Sequence, residues 1–156
     1  MNFYKHFIGD YQRNTAHLSI VEHGAYRLML DQFYGTGKPL PIEKKALYRL
    51  LRAESGVEKK AIDAISLQFW RQIPSDFHII FGWLNLNTEE ERQPLCSLAT
   101  EWTEPDGLIN LRALKELVDA AVRAGKNRKI AIQREANRAE LKRLEAEAAA
   151  KKGGMK

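Results

Sequence analysis

The chain has 156 residues, of which 44% are hydrophobic and 29% are charged. These values fit one mainly helical globular domain with an appendage, or two small modules. The single cysteine, Cys96, excludes an internal disulfide and a zinc site built from several cysteines, and it favours a reducing cytoplasm.

The charge is unevenly distributed along the chain. Residues 1–105 carry a net charge of −1 and residues 106–156 carry +6. This asymmetry predicts a nearly neutral body with a basic arm. No stretch reaches the roughly 18 apolar residues of a membrane-spanning helix, and polar residues from Asp10 onward interrupt any signal-peptide core. We therefore expect a soluble cytoplasmic protein with no membrane partner.

The first predicted element is a short strand or extended entry segment, which Gly9 and Asp10 end. It is defined by the apolar residues Phe3, Tyr4, Phe7, Ile8 and Tyr11.

Helix starts are signalled by capping boxes, in which a Ser or Thr and a Glu three residues later bond each other's backbone N–H groups. They predict one helix ending near Tyr34, a second over 57–70 and a short third around Leu95, Leu98 and Trp102. Another helix is predicted to begin at Pro41, because proline is tolerated in a first turn. The three pairs are Ser19 with Glu22, Ser55 with Glu58, and Thr88 with Glu91.

Residues 77–86 (FHIIFGWLNL) are predicted to form a buried strand, since both faces are apolar. Gly82 is expected to mark a bulge in it. The Pro-Asp-Gly sequence at 105–107 predicts a turn, and residues 108–110 predict a returning strand.

The C-terminal third begins as an amphipathic helix at Leu111, which Gly125 is expected to break or bend. From Lys126 the chain is basic and alanine-rich, with strong helix propensity. Basic residues repeated every four positions share one helix face, and such a face binds phosphates without reading base sequence. A solvated tail is the alternative. The arm has too few apolar residues for a coiled coil and no aromatic residues for a membrane surface.

Nucleic-acid contacts are predicted for eight basic residues of this arm and for two lysines at the start of the 57–70 helix. They are Arg123, Lys126, Arg128, Lys129, Arg134, Arg138, Lys142, Arg143, Lys59 and Lys60.

Three short sequence motifs occur in order within residues 2–41: FIGDYQRNTAHLS, EHGAYRLMLD and GKPLP. The pair Phe69-Trp70 follows them as a looser match. In this combination the chain resembles the YdaU-like family of uncharacterised phage and prophage proteins. The resemblance implies a front domain of a phage replication protein with a winged-helix-like fold, in which a three-helix core holds one helix against DNA and a β-hairpin wing touches the backbone. Residues 71–104 depart from the family pattern as an insertion.

No motif for catalysis is present: the chain lacks a serine nucleophile elbow, a Walker loop and a GxGxxG sequence. His17 and His23 are six residues apart, which is not the i, i+4 spacing of a helical metal site. We therefore expect a non-enzymatic protein with no catalytic residues, no metal and no cofactor. Cys96 is expected to fill core space.

These observations predict an α+β, predominantly helical protein. A winged-helix-like domain would span residues 1–122, including the insertion 71–104, and a basic helical arm with a disordered end would span 123–156. The expected function is that of a DNA-associated phage or prophage protein in replication initiation or helicase recruitment. DNA would be bound mainly through its backbone. A replication protein or host protein is a possible partner, and homodimerisation through residues 111–122 is a further possibility.

The alternative function is a phage protein-interaction module that binds or inhibits a host or defence protein. It rests on the insertion, whose apolar residues are expected to form a partner-binding surface. Those residues are Phe77, Trp83, Leu86 and Trp102.

Overall fold

The computed structural model describes residues 8–153, with side chains described for residues 8–147. The chain is predominantly helical and has one small two-stranded sheet, so the mainly helical α+β class is confirmed. The elements in chain order are α1 (Ile8–Thr15), α2 (Ile20–Thr36), α3 (Lys44–Leu50), α4 (Gly56–Phe69), β1 (Arg71–Gln72), α5 (Ile79–Trp83), α6 (Glu89–Ala99), β2 (Leu108–Ile109) and α7 (Leu111–Gly153).

The first described element is the helix α1, so the extended segment predicted at Ile8 and Tyr11 is wrong for these residues. The spacing of Ile8, Tyr11 and Thr15 is helical. The Tyr11 ring packs on Tyr26 of α2 with the ring centroids 5.9 Å apart, and the buried Thr15 hydroxyl donates to the Tyr11 carbonyl at 2.6 Å. The other residues of that prediction, Phe3, Tyr4 and Phe7, lie outside the described residues.

All three predicted capping boxes are present, at the starts of α2, α4 and α6. In the first, the Ser19 backbone N–H donates to the Glu22 carboxylate at 2.7 Å, and the Glu22 N–H donates to the Ser19 hydroxyl at 3.3 Å. The backbone hydrogen bond from Ser19 lowers the pKa of Glu22. α2 then continues to Thr36, past the predicted end, and Gly37 closes it in the left-handed conformation (φ 67°) that glycine adopts without steric strain.

α3 begins at Lys44, and the start predicted at Pro41 is wrong. Glu43 determines the start, because its carboxylate accepts the backbone N–H groups of Lys45 at 2.9 Å and Ala46 at 2.6 Å. A side-chain oxygen that satisfies two unpaired N–H groups favours a helix start at this point over one three residues earlier.

Residues 77–86 form α5 and the turns around it, so the predicted buried strand is wrong. Ile80 and Leu84, which stand four residues apart, are both buried, as on one side of a helix. A short apolar run suits a buried helix as well as a buried strand, and its packing decides between them. Gly82 accordingly lies inside α5 and not at a bulge.

The small sheet joins the start of the inserted segment to the chain that follows it. β1 pairs antiparallel with β2, with Arg71 opposite Ile109. Leu40, in the loop before α3, forms a further antiparallel bridge with Leu108 through N–H···O hydrogen bonds of 2.9 and 2.7 Å. The predicted returning strand is therefore confirmed over the two residues of β2.

The core lies mainly between α2 and α4. Phe33 of α2 and Ile65 of α4 are completely buried. The ring of Trp70, which follows α4, meets Phe33 edge-on with a centroid distance of 5.5 Å. Burying side chains of this size stabilises the fold by about 1.5–3 kcal/mol each.

A buried polar residue connects this core to the last helix. Asn110 is 4% exposed, and its side-chain amide donates to the Phe69 carbonyl at 3.0 Å. Its side-chain oxygen accepts the Ala113 backbone N–H at 3.0 Å. Asn110 thus caps the start of α7 and ties it to the end of α4.

α7 continues as a helix through Gly125, so no break occurs there. The chain divides after Asp119 into two compact units. The first described unit contains α1–α6, both strands and the start of α7, and the second is the rest of α7. The predicted border between body and arm at residue 122 stays a prediction, and residues 154–156 of the predicted disordered end lie outside the described residues. Within the described part of the chain, no helix is sufficiently long and apolar to cross a bilayer.

Candidate nucleic-acid interface

The second unit consists of one exposed helix, residues 120–153, which is called the arm helix below. All eight arm residues predicted to contact nucleic acid are exposed on it. Residues 120–156 contain 11 Lys or Arg and four Asp or Glu, a net charge of +7. Positive charge at this density attracts phosphate groups and gains from the counterions they release.

Three of these residues share one face of the arm helix. Arg134, Arg138 and Lys142 follow each other at four-residue intervals, so the first and third lie about 12 Å apart along the axis at 1.5 Å per residue. Arg143 pairs with Glu147 at 3.6 Å, but both side chains are mostly exposed, so the pair contributes little. The arm helix therefore presents its charge to solvent.

The two lysines predicted on the 57–70 helix lie near the start of α4 and differ in their surroundings. Lys60 is exposed, whereas the ammonium group of Lys59 donates to the Glu54 carbonyl at 3.0 Å. The exposed surface of α4 also includes Val57, 64% exposed, and Leu67, 89% exposed. Such a surface offers few groups to bond base edges in a major groove.

Other polar groups of α3 and α4 are used within the first unit. The Lys44 ammonium and the Tyr48 hydroxyl both donate to the Asp63 carboxylate at 2.8 Å, which links α3 to α4. Partial burial raises the pKa of Asp63, but the hydrogen bonds from Lys44 and Tyr48 outweigh it and lower the pKa overall. The Gln68 amide lies 2.7 Å from a ring nitrogen of His17.

In the inserted segment, two of the residues predicted to bind a partner lie together. The Phe77 ring is 5.9 Å from the Trp102 ring and 5.8 Å from the Phe81 ring, in edge-on contacts. All three side chains are partly exposed. These residues are called the aromatic cluster below.

The other two predicted partner-binding residues are not part of the aromatic cluster. Trp83 lies beneath the Arg71 guanidinium, whose carbon is 5.5 Å from the ring centroid. Leu86 is 2% exposed, so its place on a partner-binding surface is wrong. Because residues 77–86 are helix and turn, Leu86 points into the core. Cys96, expected in the core, is exposed instead.

The inserted segment is acidic. Residues 71–104 contain six Asp or Glu and two Arg, a net charge of −4. Like charges repel, so this segment disfavours phosphate groups and favours a basic partner. The chain therefore carries its negative and positive charge in different segments, a separation that the total of +5 conceals.

An open groove of about 710 Å³ lies between α2 and the α3–α4 turn, and sequence reasoning did not identify it. The available signal was Gly24, an unexpected residue inside a well-capped helix. The groove is called the α2 groove below. Its apolar lining consists of Val21, Ala25, Leu28, Leu50, Leu51 and Ile62.

Within residues 8–147, no three His, Cys, Asp or Glu side chains are grouped as a metal ion requires.

Comparison with known proteins gives two matches. A model of the DUF1376 family, described as a protein of unknown function, matches residues 2–72. The chain is also 31% identical over 128 residues to the uncharacterized protein YdaU of Escherichia coli (strain K12), a match that covers 80% of this chain and 40% of that protein. The chain thus spans about two fifths of the length of this relative. No solved structure matches. The family resemblance is confirmed, and the association with phages stays a prediction.

Proposed function

This chain carries a domain of the DUF1376 family in residues 2–72, and from that premise we propose that it is a non-enzymatic, DNA-associated protein of the cytoplasm. Its arm helix binds the phosphate backbone of DNA. The observation that carries this proposal is the net charge of +6 on residues 120–153, the arm helix. Contacts of this kind give affinity and leave the base sequence unread.

The order of elements in the first unit supports a winged-helix-like body. α2, α3 and α4 follow one another, β1 and β2 pair after them, and Leu40 adds a bridge to Leu108. The inserted segment then takes the place of the tip of a wing. Its net charge of −4 disfavours contact with phosphates, so the backbone contacts that a wing would make pass to the arm helix.

The biological role we propose is replication initiation or helicase recruitment in a phage or prophage. The arm helix holds the protein on DNA without sequence preference, and the acidic inserted segment remains available for a replication protein. The exposed surface of α4 offers few groups that read base edges, and the arm helix carries the positive charge. This arrangement fits a recruiting protein better than a sequence-specific repressor.

A salt titration tests the DNA contact on the full chain. The variant R134Q/R138Q/K142Q removes three charges from one face, and R134K/R138K/K142R keeps them on the same positions. For duplex DNA the slope of log K against log salt is expected to decrease in magnitude by about 2.7 in the first variant, or by about 2 for single strands. The charge-preserving variant keeps the slope. Equal slopes for the wild type and the glutamine variant would contradict the proposal.

The second candidate function is a protein-interaction module that binds a host or defence protein. The partly exposed aromatic cluster favours it, because aromatic residues are enriched in interface cores. A pull-down from host lysate after nuclease treatment tests it with wild type and Phe77→Ala. A stoichiometric partner lost in the variant supports this function, and recovery of nucleic acid alone before nuclease treatment argues against it.

A further inference from the structure

An open cleft of about 620 Å³ lies where the end of α4 meets α1, α2, β1 and the start of α7, and all of its lining belongs to the first unit. It is called the α4 cleft below. A cleft of this size is large enough for a small molecule or a nucleotide. Its polar lining consists of Asn14, Tyr26, Gln68, Arg71, Asn110 and Arg112. Among the described residues that line it there are thus two arginines and no Asp or Glu.

Arg71 is the arginine that no carboxylate neutralises. Its exposed side chain forms no ion pair and no hydrogen bond with the described residues. The guanidinium instead lies over the Trp83 ring, with its carbon 5.5 Å from the ring centroid. A stacking contact of this kind uses the face of the guanidinium and leaves the N–H groups at its edge available for a phosphate. Trp83 therefore holds Arg71 in place without using its hydrogen-bond donors.

The other charges next to the cleft are paired. The Arg112 Nε–H donates to the Glu116 carboxylate at 3.1 Å, so the charge of this arginine is balanced within α7. Asp10, on the α1 helix that contributes to the lining, pairs with Arg13 at 3.6 Å. Arg71 therefore leaves one excess positive charge at the cleft.

The neutral polar groups of the cleft also suit an anion. The Asn14 side chain is exposed and has no hydrogen bond with the described residues, so its amide N–H groups are available donors. Burial raises the pKa of Tyr26, so the Tyr26 hydroxyl stays neutral. At the end of α4, the Phe69 carbonyl accepts the Asn110 amide at 3.0 Å, which partly compensates the negative end of the helix dipole. These groups add a donor to the cleft and no negative charge.

From these observations we propose that the α4 cleft binds one phosphodiester group of a DNA backbone. The Arg71 guanidinium donates to the non-bridging oxygens of that phosphate, as arginine does in bidentate pairs, and the Asn14 amide supplies a further donor. A phosphodiester carries a single negative charge, which the excess charge at the cleft balances. The proposal extends the proposed DNA association to the first unit, and the site uses no residue of the arm helix.

An NMR titration of the full chain with thymidylyl-thymidine, a deoxydinucleotide whose only charge is one phosphodiester, tests the proposal. The signals of the Asn14 side-chain amide and of the Arg71 Nε–H are expected to shift until the cleft is saturated. Arg71→Gln is expected to weaken the binding read from the Asn14 signal about tenfold, because it removes charge-assisted hydrogen bonds. Arg71→Lys keeps the charge and loses the planar fork, so its affinity is expected to lie between those of Arg71→Gln and the wild type.

Two further variants separate this site from general surface charge and from effects on folding. Arg49→Gln removes an exposed arginine of α3 that does not line the cleft, so it is expected to leave the affinity unchanged. Asn14→Ala removes a donor and places a better helix former in α1. It is therefore expected to fold as the wild type does and to weaken the binding read from the Arg71 signal about threefold.

Equal affinities of the wild type and Arg71→Gln, or an equal loss in Arg49→Gln, would overturn the proposal. So would inorganic phosphate that binds the cleft as tightly as the dinucleotide, because the ligand would then be a free phosphate and not a DNA backbone. The arm variant R134Q/R138Q/K142Q is expected to retain the shifts at the cleft. Failure of the DNA contact through the arm helix and failure of this site are therefore separate results.

Discussion

Replacing Asn110 by alanine tests how the first unit is joined to α7. Asn110 makes two side-chain hydrogen bonds, one to the Phe69 carbonyl and one from the Ala113 N–H, both 3.0 Å long. Loss of an asparagine N-cap typically costs about 1 kcal/mol. The Phe69 carbonyl also loses its partner, which costs about 1–3 kcal/mol when buried. Phe69 lines an open pocket that water can enter, so the lower end applies and the expected total is about 2 kcal/mol.

Urea unfolding followed by tryptophan fluorescence measures this loss, since Trp70 is buried next to the site. With a slope of about 2 kcal/mol per molar urea, the midpoint is expected to fall by about 1 M. The matched control is Asn110→Ser, whose hydroxyl can still accept a backbone N–H at the start of α7 but carries no amide donor for Phe69, so it is expected to lose about half as much. A loss below about 0.5 kcal/mol in the alanine variant would refute the view that this residue connects α4 to α7.

Three further predictions concern stability. Gly107→Ala is expected to destabilise the fold by about 1–3 kcal/mol in urea, because the new Cβ would lie 2.7 Å from the Pro39 Cβ and 2.8 Å from the Leu40 carbonyl oxygen; an unchanged midpoint would show that the turn is loose. Leu86→Ala is expected to lose about 2–5 kcal/mol in the same assay, whereas a loss under about 0.5 kcal/mol, typical of a surface site, would restore Leu86 to the partner surface. The pKa of Glu58 is lowered by backbone hydrogen bonds from Ser55 and Glu54. The contribution of Glu58 to folding stability is therefore present above the ordinary pKa of 4.5 and is lost as the pH falls through the lower folded pKa. Glu58→Gln is expected to flatten the profile of stability against pH below pH 4.5, and an unaltered profile would contradict this assignment.

The candidate nucleic-acid interface was largely predictable from sequence. Eight basic residues within a polar, alanine-rich segment determine both the helix and its exposure, because such a segment has too little apolar surface to be buried. The α2 groove was not predictable, because its walls come from three elements that are distant in sequence. Gly24 was visible as an anomaly, yet only the packed structure showed that none of the described residues would come within 4 Å of a Cβ atom there.

The inserted segment was also only partly predictable from sequence. Its aromatic residues and its acidic composition could be read directly, and the Thr88 capping box correctly placed the start of α6. The conformation of residues 77–86 could not be read, since an apolar run has no period that separates a buried helix from a buried strand. Leu86 was therefore placed on the surface when it belongs to the core.

By itself, the sequence determined the family, the capped helix starts and the basic, exposed character of the arm helix. Each depends on residues three or four positions apart or on composition, and so on interactions that are complete within one segment. Only the tertiary structure decided that Arg71, at the start of the inserted segment, pairs with Ile109, that residues 79–83 form a helix, and that α2 keeps an open apolar face. These features depend on contacts between distant segments, and such contacts form only when the whole first unit packs around its core.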